Sequence, residues 1–517
     1  MKLNYKRTIC VGFAFFLICA FWQAYNNTIP LILTNKFGMS QTWSGLVMAL
    51  DNILAIFLLP LFGLISDRCR SPRGRRTPFI VIGTIAAAIC LVGLAFIDNA
   101  QLQHLGTAAE IDDPAALAQI YETESDLSLQ TPDGENYILS ERFSEEEFTA
   151  IQSQITDSTG KTVTNPDYTN YVVPARQAYA SQVTKASPGT LVLFMIVLLL
   201  ALLAMASFRS PAVALMPDVT MKPLRSKANA VINLMGTVGG ILVLGLGIAF
   251  ATSAVRNSYM SYVGYFAVIA GIMLLALAIF LLTVREPQFV EEMHADSVRY
   301  GIEEENADES ASRKLKPEEK RSLFFILASI VLWFMGYNAI ISKYSVYASN
   351  ILHKDYNLTL MIAQVAAIIS YLPVGAIASK IGRKKTILAG VVMLTVAFGS
   401  AAFMRADSPT LLMNCLFALA GIAWATINVN SFPMVVELCS GGDVGKYTGF
   451  YYTASMAAQI VTPIFSGWLM DTFGMTVLFP YAAIFAGLAF VTMIFVKHGD
   501  SVLPAGQKEK TAGTAGE

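Results

Sequence analysis

The sequence predicts an all-α membrane protein with twelve transmembrane helices in two pseudo-symmetric six-helix bundles. Of its 517 residues, 55% are hydrophobic and only 14% are charged, whereas soluble domains carry about 25% charged residues. Apolar runs close to the ~20 residues that span a bilayer recur along the chain. A basic glycine-containing turn at residues 63–76 has a weaker counterpart at residues 375–385. That repeat indicates two related halves.

Twelve apolar segments are expected to cross the membrane as helices, because a helix satisfies its own backbone hydrogen bonds inside lipid. The first segment is too long for a cleaved signal peptide and lacks a small-residue cleavage site. The predicted spans are residues 9–33, 43–65, 79–97, 189–215, 229–250, 260–283, 323–343, 357–378, 386–403, 410–436, 448–470 and 476–496.

Lysine and arginine indicate the orientation, since loops rich in them stay in the cytoplasm. The loop after the second span carries five arginines between Arg68 and Arg76, and residues 380–385 carry the corresponding cluster in the other half. The loops after the fourth and sixth spans are basic as well. We therefore expect a multi-pass protein of the plasma (inner cell) membrane with both termini in the cytoplasm.

The acidic residues are concentrated in one insert. Residues 98–188 hold fifteen acidic and four basic residues, whereas the rest of the chain holds twenty-two and thirty-two. We expect an extracellular cap or a partly ordered loop there, inside a first bundle at residues 1–284. A charged cytoplasmic linker is expected at 285–321, a second bundle at 322–497 and a disordered tail at 498–517.

The sequence argues against an enzyme or an ATP-driven pump. The four histidines are scattered over loops without metal-ligand spacing, and the chain has no Gly-x4-Gly-Lys-Ser/Thr phosphate loop. We expect no cofactor, no bound metal and no nucleic-acid partner. The expected partners are the lipid bilayer and a small-molecule substrate, and the expected state is a monomer.

Two motifs carry a family resemblance. The first runs Gly63-Leu-Ile-Ser-Asp67-Arg68 and continues at Gly74-Arg75-Arg76, with residues 69–73 in between, four more than the signature that it resembles. It resembles the loop signature between the second and third helices of the major facilitator superfamily. The second, from Arg209 through Pro211 to Asp218 and on to Ala228-Asn-Ala, is similar to a run in the sucrose-transporter-like branch. The expanded first motif also resembles the glycoside–pentoside–hexuronide cation symporters.

The resemblance implies a secondary active transporter that imports a glycoside, a di- or oligosaccharide, by proton-coupled alternating access. The coupling acids of those branches are absent, since Leu202, Ala55 and Leu59 occupy their places. Na⁺ coupling therefore remains open, as does antiport of another small solute. A different class is a non-transporting sensor that uses the outer insert, although the intact basic loop disfavours it.

Asp51 is the candidate for proton coupling. It lies well inside the second span, where a charge costs at least about 2.5–3.5 kcal/mol on insertion scales. Burial favours the neutral acid, which suits a group that loads and releases a proton. The alternative is an interhelical hydrogen bond with no transport role. Glu437 is the next candidate acid.

The basic loop and its neighbours predict a gate that switches between conformations. Arg209, in the cytoplasmic third of the fourth span, is expected to bridge Asp67 and Asp218; alternatively it binds substrate or extends to the interface. The loop itself could serve only as a topology signal. The predicted gating residues are Gly63, Asp67, Arg68, Gly74, Arg75, Arg76, Arg209, Asp218, Gly382 and Arg383.

Polar and aromatic side chains within the spans predict a sugar site. In the superfamily, helices 1, 4, 7 and 10 line the central cavity, where amides can pair with sugar hydroxyls and aromatic faces can stack on sugar rings. The alternative is contact between helices, and Trp43 and Trp468 fit an interfacial aromatic belt. The predicted substrate-binding residues are Trp22, Gln23, Tyr25, Asn26, Asn27, Trp333, Tyr337, Asn338, Trp424, Asn428 and Gln459.

Overall fold

A computed structural model describes residues 3–157, 160–221, 224–300, 315–436, 438 and 444–498. Within these ranges, twelve helices of 17 or more residues occupy the places of the twelve predicted spans. Ten helices of the described part are long and apolar enough to cross a membrane. The prediction of an all-α multi-pass membrane protein is confirmed.

The long helices are numbered α1 to α12. In the first half they are α1 (Tyr5–Leu31), α2 (Gln41–Asp67), α3 (Thr77–Leu105), α4 (Gly189–Asp218), α5 (Arg225–Ala249) and α6 (Val263–Thr283). In the second half they are α7 (Pro317–Tyr347), α8 (Tyr356–Ile381), α9 (Arg383–Ala401), α10 (Thr410–Val436), α11 (Val444–Phe473) and α12 (Leu478–Ile494).

The two halves repeat one packing pattern. In the first half α1 packs on α5, α2 on α4 and α3 on α6, and the corresponding pairs α7–α11, α8–α10 and α9–α12 pack in the second. The helices α1 and α7 each end in a π-helical turn, Ile32–Lys36 and Ala348–Leu352. Each half also has its own apolar core. This is the pseudo-symmetry that the repeated basic turn predicted.

The acidic insert forms a small folded unit between α3 and α4. Its longer helices are Pro114–Glu124 and Val173–Ala186, and shorter helical segments are Leu139–Arg142, Glu145–Thr149 and the π-helical turn Tyr168–Val172. Two antiparallel hairpins complete it: β1 (Ser128–Gln130) with β2 (Asn136–Ile138), and β3 (Gln154–Thr156) with β4 (Thr162–Thr164).

The insert has an apolar core of its own, to which Leu117, Ile120, Phe148 and Val172 contribute. The structure therefore contains a folded cap, the first of the two forms predicted for this segment. It begins only after Leu105, because α3 continues past the predicted end of its span.

The charged segment after α6 begins with a helix, Glu286–Arg299. The helix α7 begins at Pro317, where Glu319 accepts a hydrogen bond from the Lys316 backbone N–H. The middle of the predicted linker, 301–314, and the predicted tail from 499 onward lie outside the described residues. The candidate acid Glu437 lies outside them as well.

The two ends of the bundle differ. We call the end with residues 106–188 the insert end and the end with the loop 68–76 the basic end. At the insert end α2 touches α11 so closely that a Cβ on Gly45 would lie 1.9 Å from the Pro463 carbonyl oxygen. Such contact requires glycine. The buried residues of α2 cluster before Ala55, whereas Phe57 and Leu64 are exposed. The halves are therefore in contact at the insert end.

Candidate functional site: the central cavity and the basic loop

A cavity of about 300 Å³ lies between the two halves, within the ~300–1,000 Å³ range of small-molecule sites. The helices α1 and α5 form its first-half wall, and α7, α8 and α10 form most of its second-half wall. Among the described residues, its lining carries amide, hydroxyl, thiol, aromatic and aliphatic side chains and no charged one. The composition of the wall suits a neutral polar solute.

The first-half wall contains four of the predicted residues. Trp22, Gln23, Asn26 and Asn27 all line the cavity. The Gln23 amide nitrogen donates a hydrogen bond to Asn27 Oδ1 at 3.1 Å. The Asn27 amide nitrogen and Trp22 Nε1 are buried and find no acceptor in the described part of the chain. Because an unpaired buried donor costs about 1–3 kcal/mol, both donors favour a ligand that brings oxygen atoms.

The second-half wall presents a flat aromatic surface. Tyr337 and Trp424 line the cavity and stack face to face, with ring centroids 3.6 Å apart and planes 3° from parallel. Phe334 packs edge-on against Trp424 at 5.2 Å and fixes its orientation. Asn428, one turn along α10, is exposed, and its side chain hydrogen-bonds Tyr371 of the cavity wall. Tyr337 and Trp424 therefore line the cavity, and Asn428 contacts its wall through Tyr371.

Gln364 of α8 is a cavity residue that the sequence analysis missed. Its amide nitrogen donates to Gln23 Oε1 at 2.6 Å, so one hydrogen bond links the two walls across the cavity. Together with the Gln23–Asn27 bond it forms a chain of three amides. The signal available in the sequence was a single amide in the apolar run of α8, and interhelical amides of that kind are common in membrane proteins.

Two predicted aromatic residues do not line the cavity. Trp333 is fully buried in the core of the second half, and Tyr25 is 1% exposed with its hydroxyl directed at the Val47 carbonyl oxygen, 3.5 Å away. Trp333 lies one turn from Tyr337, but the two side chains do not point in the same direction. Because a turn holds 3.6 residues, residues four apart are offset by about 40° around the helix axis. That rotation takes Trp333 into its own bundle, so the structure corrects its predicted position.

Two of the predicted amide side chains also lie outside the described cavity wall. Asn338 donates to the Phe334 carbonyl oxygen at 2.8 Å, and Gln459 donates to that of Ser455 at 3.3 Å. Both bonds lie within the residue's own helix, the local pairing that competes with contacts between helices. Neither side chain is part of the described cavity wall.

Neither Asp51 nor Arg209 is among the described cavity-lining residues, but Arg209 lies beside Trp22 of the first-half wall. Asp51 is half-buried, and its Oδ1 accepts bonds from the Asn52 backbone nitrogen at 2.6 Å and the Asn52 side chain at 2.7 Å. The Arg209 guanidinium lies over the Trp22 ring, 5.6 Å from its centroid, and interacts electrostatically with Asp51. The expected bridge from Arg209 to Asp67 and Asp218 is not formed, because Arg209 points to the middle of the bundle.

Other arginines hold those two acids at the basic end. Arg76 is buried, and its guanidinium contacts Asp218 Oδ2 at 2.8 Å and Asp67 Oδ1 at 2.5 Å. Arg75 contacts Asp218 Oδ1 at 2.9 Å. The bidentate geometry of arginine suits such a cluster. Four predicted gating residues therefore meet in one ion-pair network that joins α2, α3 and α4, and Arg68 beside them is exposed.

Glu286 is a second residue that the sequence analysis missed. Its carboxylate accepts bonds from the backbone nitrogens of Arg75 at 2.8 Å, Arg76 at 2.9 Å and Thr77 at 2.7 Å, and so caps the start of α3. Gly74 has a φ of +102°, and a Cβ there would lie 2.3 Å from the Glu286 carboxyl carbon. Glycine is needed for both reasons.

The remaining predicted gating residues are Gly63 in the first half and Gly382 and Arg383 in the second. A Cβ on Gly63 would lie 3.1 Å from Ser210 Oγ, so α2 and α4 approach there as expected. In the second half Gly382 has a φ of +95°, and Arg383 donates to the Pro433 carbonyl oxygen at 3.4 Å. The ion-pair network at the basic end therefore lies within the first half, and the Arg383–Pro433 bond lies within the second.

Comparison with known proteins identifies the class. The model of the Major Facilitator Superfamily matches residues 178–430 and 344–516, and the model described as MFS/sugar transport protein matches residues 10–103. The chain therefore belongs to the major facilitator superfamily. It is a multi-pass membrane transporter and not an enzyme.

The individual similarities are more limited. A 57-residue segment is 37% identical to "Sucrose transport protein SUC4" of Arabidopsis thaliana and covers 11% of this chain and 11% of that protein. A bacterial homologue of the iron transporter ferroportin, in an inward-facing state, superposes with a TM-score of 0.59 at 12% identity over 96% of this chain and 100% of that one. The inward-open xylose transporter XylE of E. coli gives 0.55 at 14% identity over 96% and 97%. These structures share the fold.

Proposed function

We propose that this protein imports a glycoside, a di- or oligosaccharide, by proton-coupled alternating access. The single observation that carries the proposal is the chemistry of the cavity wall, where amides and stacked aromatic rings surround a space to which no described residue adds a charged side chain. A sugar needs this combination, because its ring carries hydroxyls at the edge and an apolar C–H surface on the face. The matched sugar-transport model and the short similarity to a sucrose transport protein support the same substrate class.

Binding would use both walls at once. The stacked Tyr337–Trp424 pair offers an aromatic surface for the C–H face of one sugar ring. On the opposite wall, the amides of Gln23, Asn26 and Asn27 would pair with sugar oxygens. The amide of Gln364 lies between the walls and already links them through Gln23. A substrate that replaces this link would contact both halves, as transport by alternating access requires.

Coupling would act through Asp51 and Arg209. When Asp51 is charged it attracts the Arg209 guanidinium, and when it takes up a proton the attraction is lost. Because Arg209 lies over Trp22, this change reaches the cavity wall. Arg209 favours a proton over Na⁺ as the coupling ion, since the positive guanidinium near Asp51 would repel a bound Na⁺, whereas a proton neutralises the carboxylate covalently.

The proposal includes an orientation. By the positive-inside rule the basic end faces the cytoplasm, together with both termini, and the insert faces outward from the plasma membrane. Since the halves meet at the insert end, the structure then corresponds to an inward-facing state of a carrier that works as a monomer.

Uptake into proteoliposomes tests the function. The purified protein is assayed with a panel of radiolabelled mono-, di- and oligosaccharide glycosides under an imposed proton gradient and, separately, a Na⁺ gradient. We expect accumulation of a glycoside with the proton gradient alone. Accumulation only with Na⁺ would replace the coupling ion. Uptake of no glycoside, together with uptake of another solute class such as nucleosides, would overturn the substrate class.

A further inference from the structure

The insert contacts the second half of the protein, although it belongs by sequence to the first. The contact joins the turn between β1 and β2, residues 131–135, to residues 473–475, which are the last residue of α11 and the two that follow it. The Met475 backbone nitrogen donates a hydrogen bond to the Pro132 carbonyl oxygen at 2.7 Å. One backbone hydrogen bond therefore crosses from the insert to the other half.

Two glycines make this approach possible. Gly134 has a φ of +96°, and a Cβ on it would lie 2.6 Å from the Phe473 carbonyl oxygen. Gly474 has a φ of +90°, and a Cβ on it would lie 2.5 Å from the Asp133 carbonyl carbon. The two backbones thus meet without side chains between them, and each glycine faces the other segment.

A charged cluster closes the same end beside this contact. Asp471, at the end of α11, accepts bonds from the backbone nitrogens of Gln41 at 2.7 Å and Thr42 at 2.8 Å and so caps the start of α2. The fully buried Lys343 of α7 donates to the Gln41 carbonyl oxygen at 2.5 Å. Both interactions pass from the second half to the first, and Asp471 precedes by two residues Phe473, whose carbonyl group faces Gly134.

We propose that the turn 131–135 is a latch that holds the insert end closed and that must release in every transport cycle. The proposal rests on the alternating access of the proposed function, in which the two halves separate at the end that is now closed. Because the insert is covalently part of the first half, separation pulls residues 131–135 away from 473–475. The insert then sets how readily the insert end opens.

Two glycine substitutions in the insert form a matched pair for the test. Gly134→Ala adds a methyl group against Phe473, whereas Gly160→Ala adds one at a φ of +80° in the other hairpin, where no atom of the described residues lies within 4 Å of the new methyl group. Both carry the same kind of backbone strain, and only the first disturbs the latch. The reporter is Leu360→Cys in the cavity wall, in a Cys19→Ser background, labelled from the insert side with a membrane-impermeant maleimide.

We expect Gly134→Ala to raise the labelling rate of the reporter about tenfold over Gly160→Ala, a change equal to about 1.4 kcal/mol in the opening equilibrium. Equal rates in the two variants would overturn the latch, whether both stay low or both rise. The labelling needs neither substrate nor ion gradient, so its outcome is independent of whether the sugar and the proton are correctly assigned.

A cross-link gives a second, independent measurement. Pro132→Cys with Met475→Cys places two thiols at the hydrogen-bonded contact, and Gln154→Cys with Thr164→Cys places two on paired strands inside the insert. Oxidation of the first pair should lower the transport rate at least tenfold, with recovery in reductant, while the second pair leaves it unchanged. Failure of the first pair to cross-link, or full cross-linking with undiminished transport, would contradict the proposal.

Discussion

At the scale of single residues, the position of Asp51 beside Arg209 leads to the most specific prediction. Asp51→Asn keeps the size of the side chain and its hydrogen bond to Asn52 but removes the exchangeable proton. We expect accumulation against a concentration gradient to be lost, while exchange of substrate across the membrane without a gradient is retained in part. Counterflow and proton-driven uptake, measured on the same proteoliposomes, separate the two activities.

Asp51→Glu is the control, because it retains a titratable carboxyl group and should retain part of the accumulation. Proton-driven accumulation at the wild-type level in Asp51→Asn would remove Asp51 as the coupling group. Glu437, the other acid that the sequence suggested, would then be the next to examine.

Substitutions of aromatic residues in α7 and α10 should differ in effect, depending on whether the residue lines the cavity or lies in the core. Trp424→Ala removes half of the stacked pair, and we expect it to weaken glycoside binding tenfold or more, which corresponds to about 1.4 kcal/mol. Trp333→Ala instead leaves a hole in a packed core, with a cost of about 3–5 kcal/mol in stability. Binding titrations and thermal unfolding of the same purified variants give the two readouts.

The exposed Trp43 and Trp468, 62% and 49% accessible, serve as controls for these substitutions. Replacement of either by alanine should leave glycoside affinity unchanged. If Trp333→Ala lowered affinity as strongly as Trp424→Ala at unchanged stability, the assignment of the cavity wall would be wrong.

Individual residues also show how much of the cavity wall the sequence could predict. Six of the predicted residues line the cavity, since a polar side chain in an apolar helix requires a polar surrounding: Trp22, Gln23, Asn26, Asn27, Tyr337 and Trp424. Trp333 and Gln364 were not correctly predicted, since the rotation of α7 and α8 within their bundles depends on packing with other helices. Glu286 was missed for a similar reason, as its partners lie some 210 residues away in the chain.

At the scale of elements, we expect the stability of the insert to depend on pH. Glu124, at the end of the helix Pro114–Glu124, is fully buried, and this burial raises the pKa of its carboxyl group to about 7, while the Gln182 amide offsets part of the shift. The folded insert therefore holds this proton between about pH 4.5 and 7, and the unfolded chain does not. The free energy of unfolding of the insert should therefore fall as the pH rises from about 4.5 to about 7 and change little above 7, with a total change on the order of 1–3 kcal/mol.

Hydrogen exchange of residues 114–124 in the full-length protein at pH 5.5 and pH 8, corrected for the intrinsic exchange rate, measures this change. The neutral variant Glu124→Gln should make the protection of the insert nearly independent of pH across that interval. Greater protection of the wild-type insert at pH 8 than at pH 5.5 would show that the predicted sign is wrong.

At the scale of the whole molecule, we expect the insert to be dispensable for transport. No residue of 106–188 is part of the described cavity wall. Replacement of residues 110–186 by a short Gly/Ser bridge should therefore leave measurable glycoside uptake, with a cavity that opens more readily at the insert end because the latch is gone. Uptake assays and the labelling of Leu360→Cys report the two effects.

Loss of all uptake in a shortened protein that still inserts and folds would instead make the insert a part of the substrate path. The membrane-inserted fraction and the thermal stability of the shortened protein serve as controls for this outcome. A shortened protein with normal insertion and stability makes the uptake measurement decisive.

The sequence by itself determined the number of long helices, the division into two halves and the polarity of the cavity. Each of these depends on the local composition of a chain in a membrane. Lipid forces a helix wherever about 20 apolar residues follow one another. Only the tertiary structure decided which distant charges meet. Lys36 and Asp98, 62 residues apart, form a fully buried ion pair at 2.6 Å, and Asp471 caps α2 from the other half of the molecule. Such partners are selected by the relative rotation and depth of packed helices, and no local pattern in the chain encodes either.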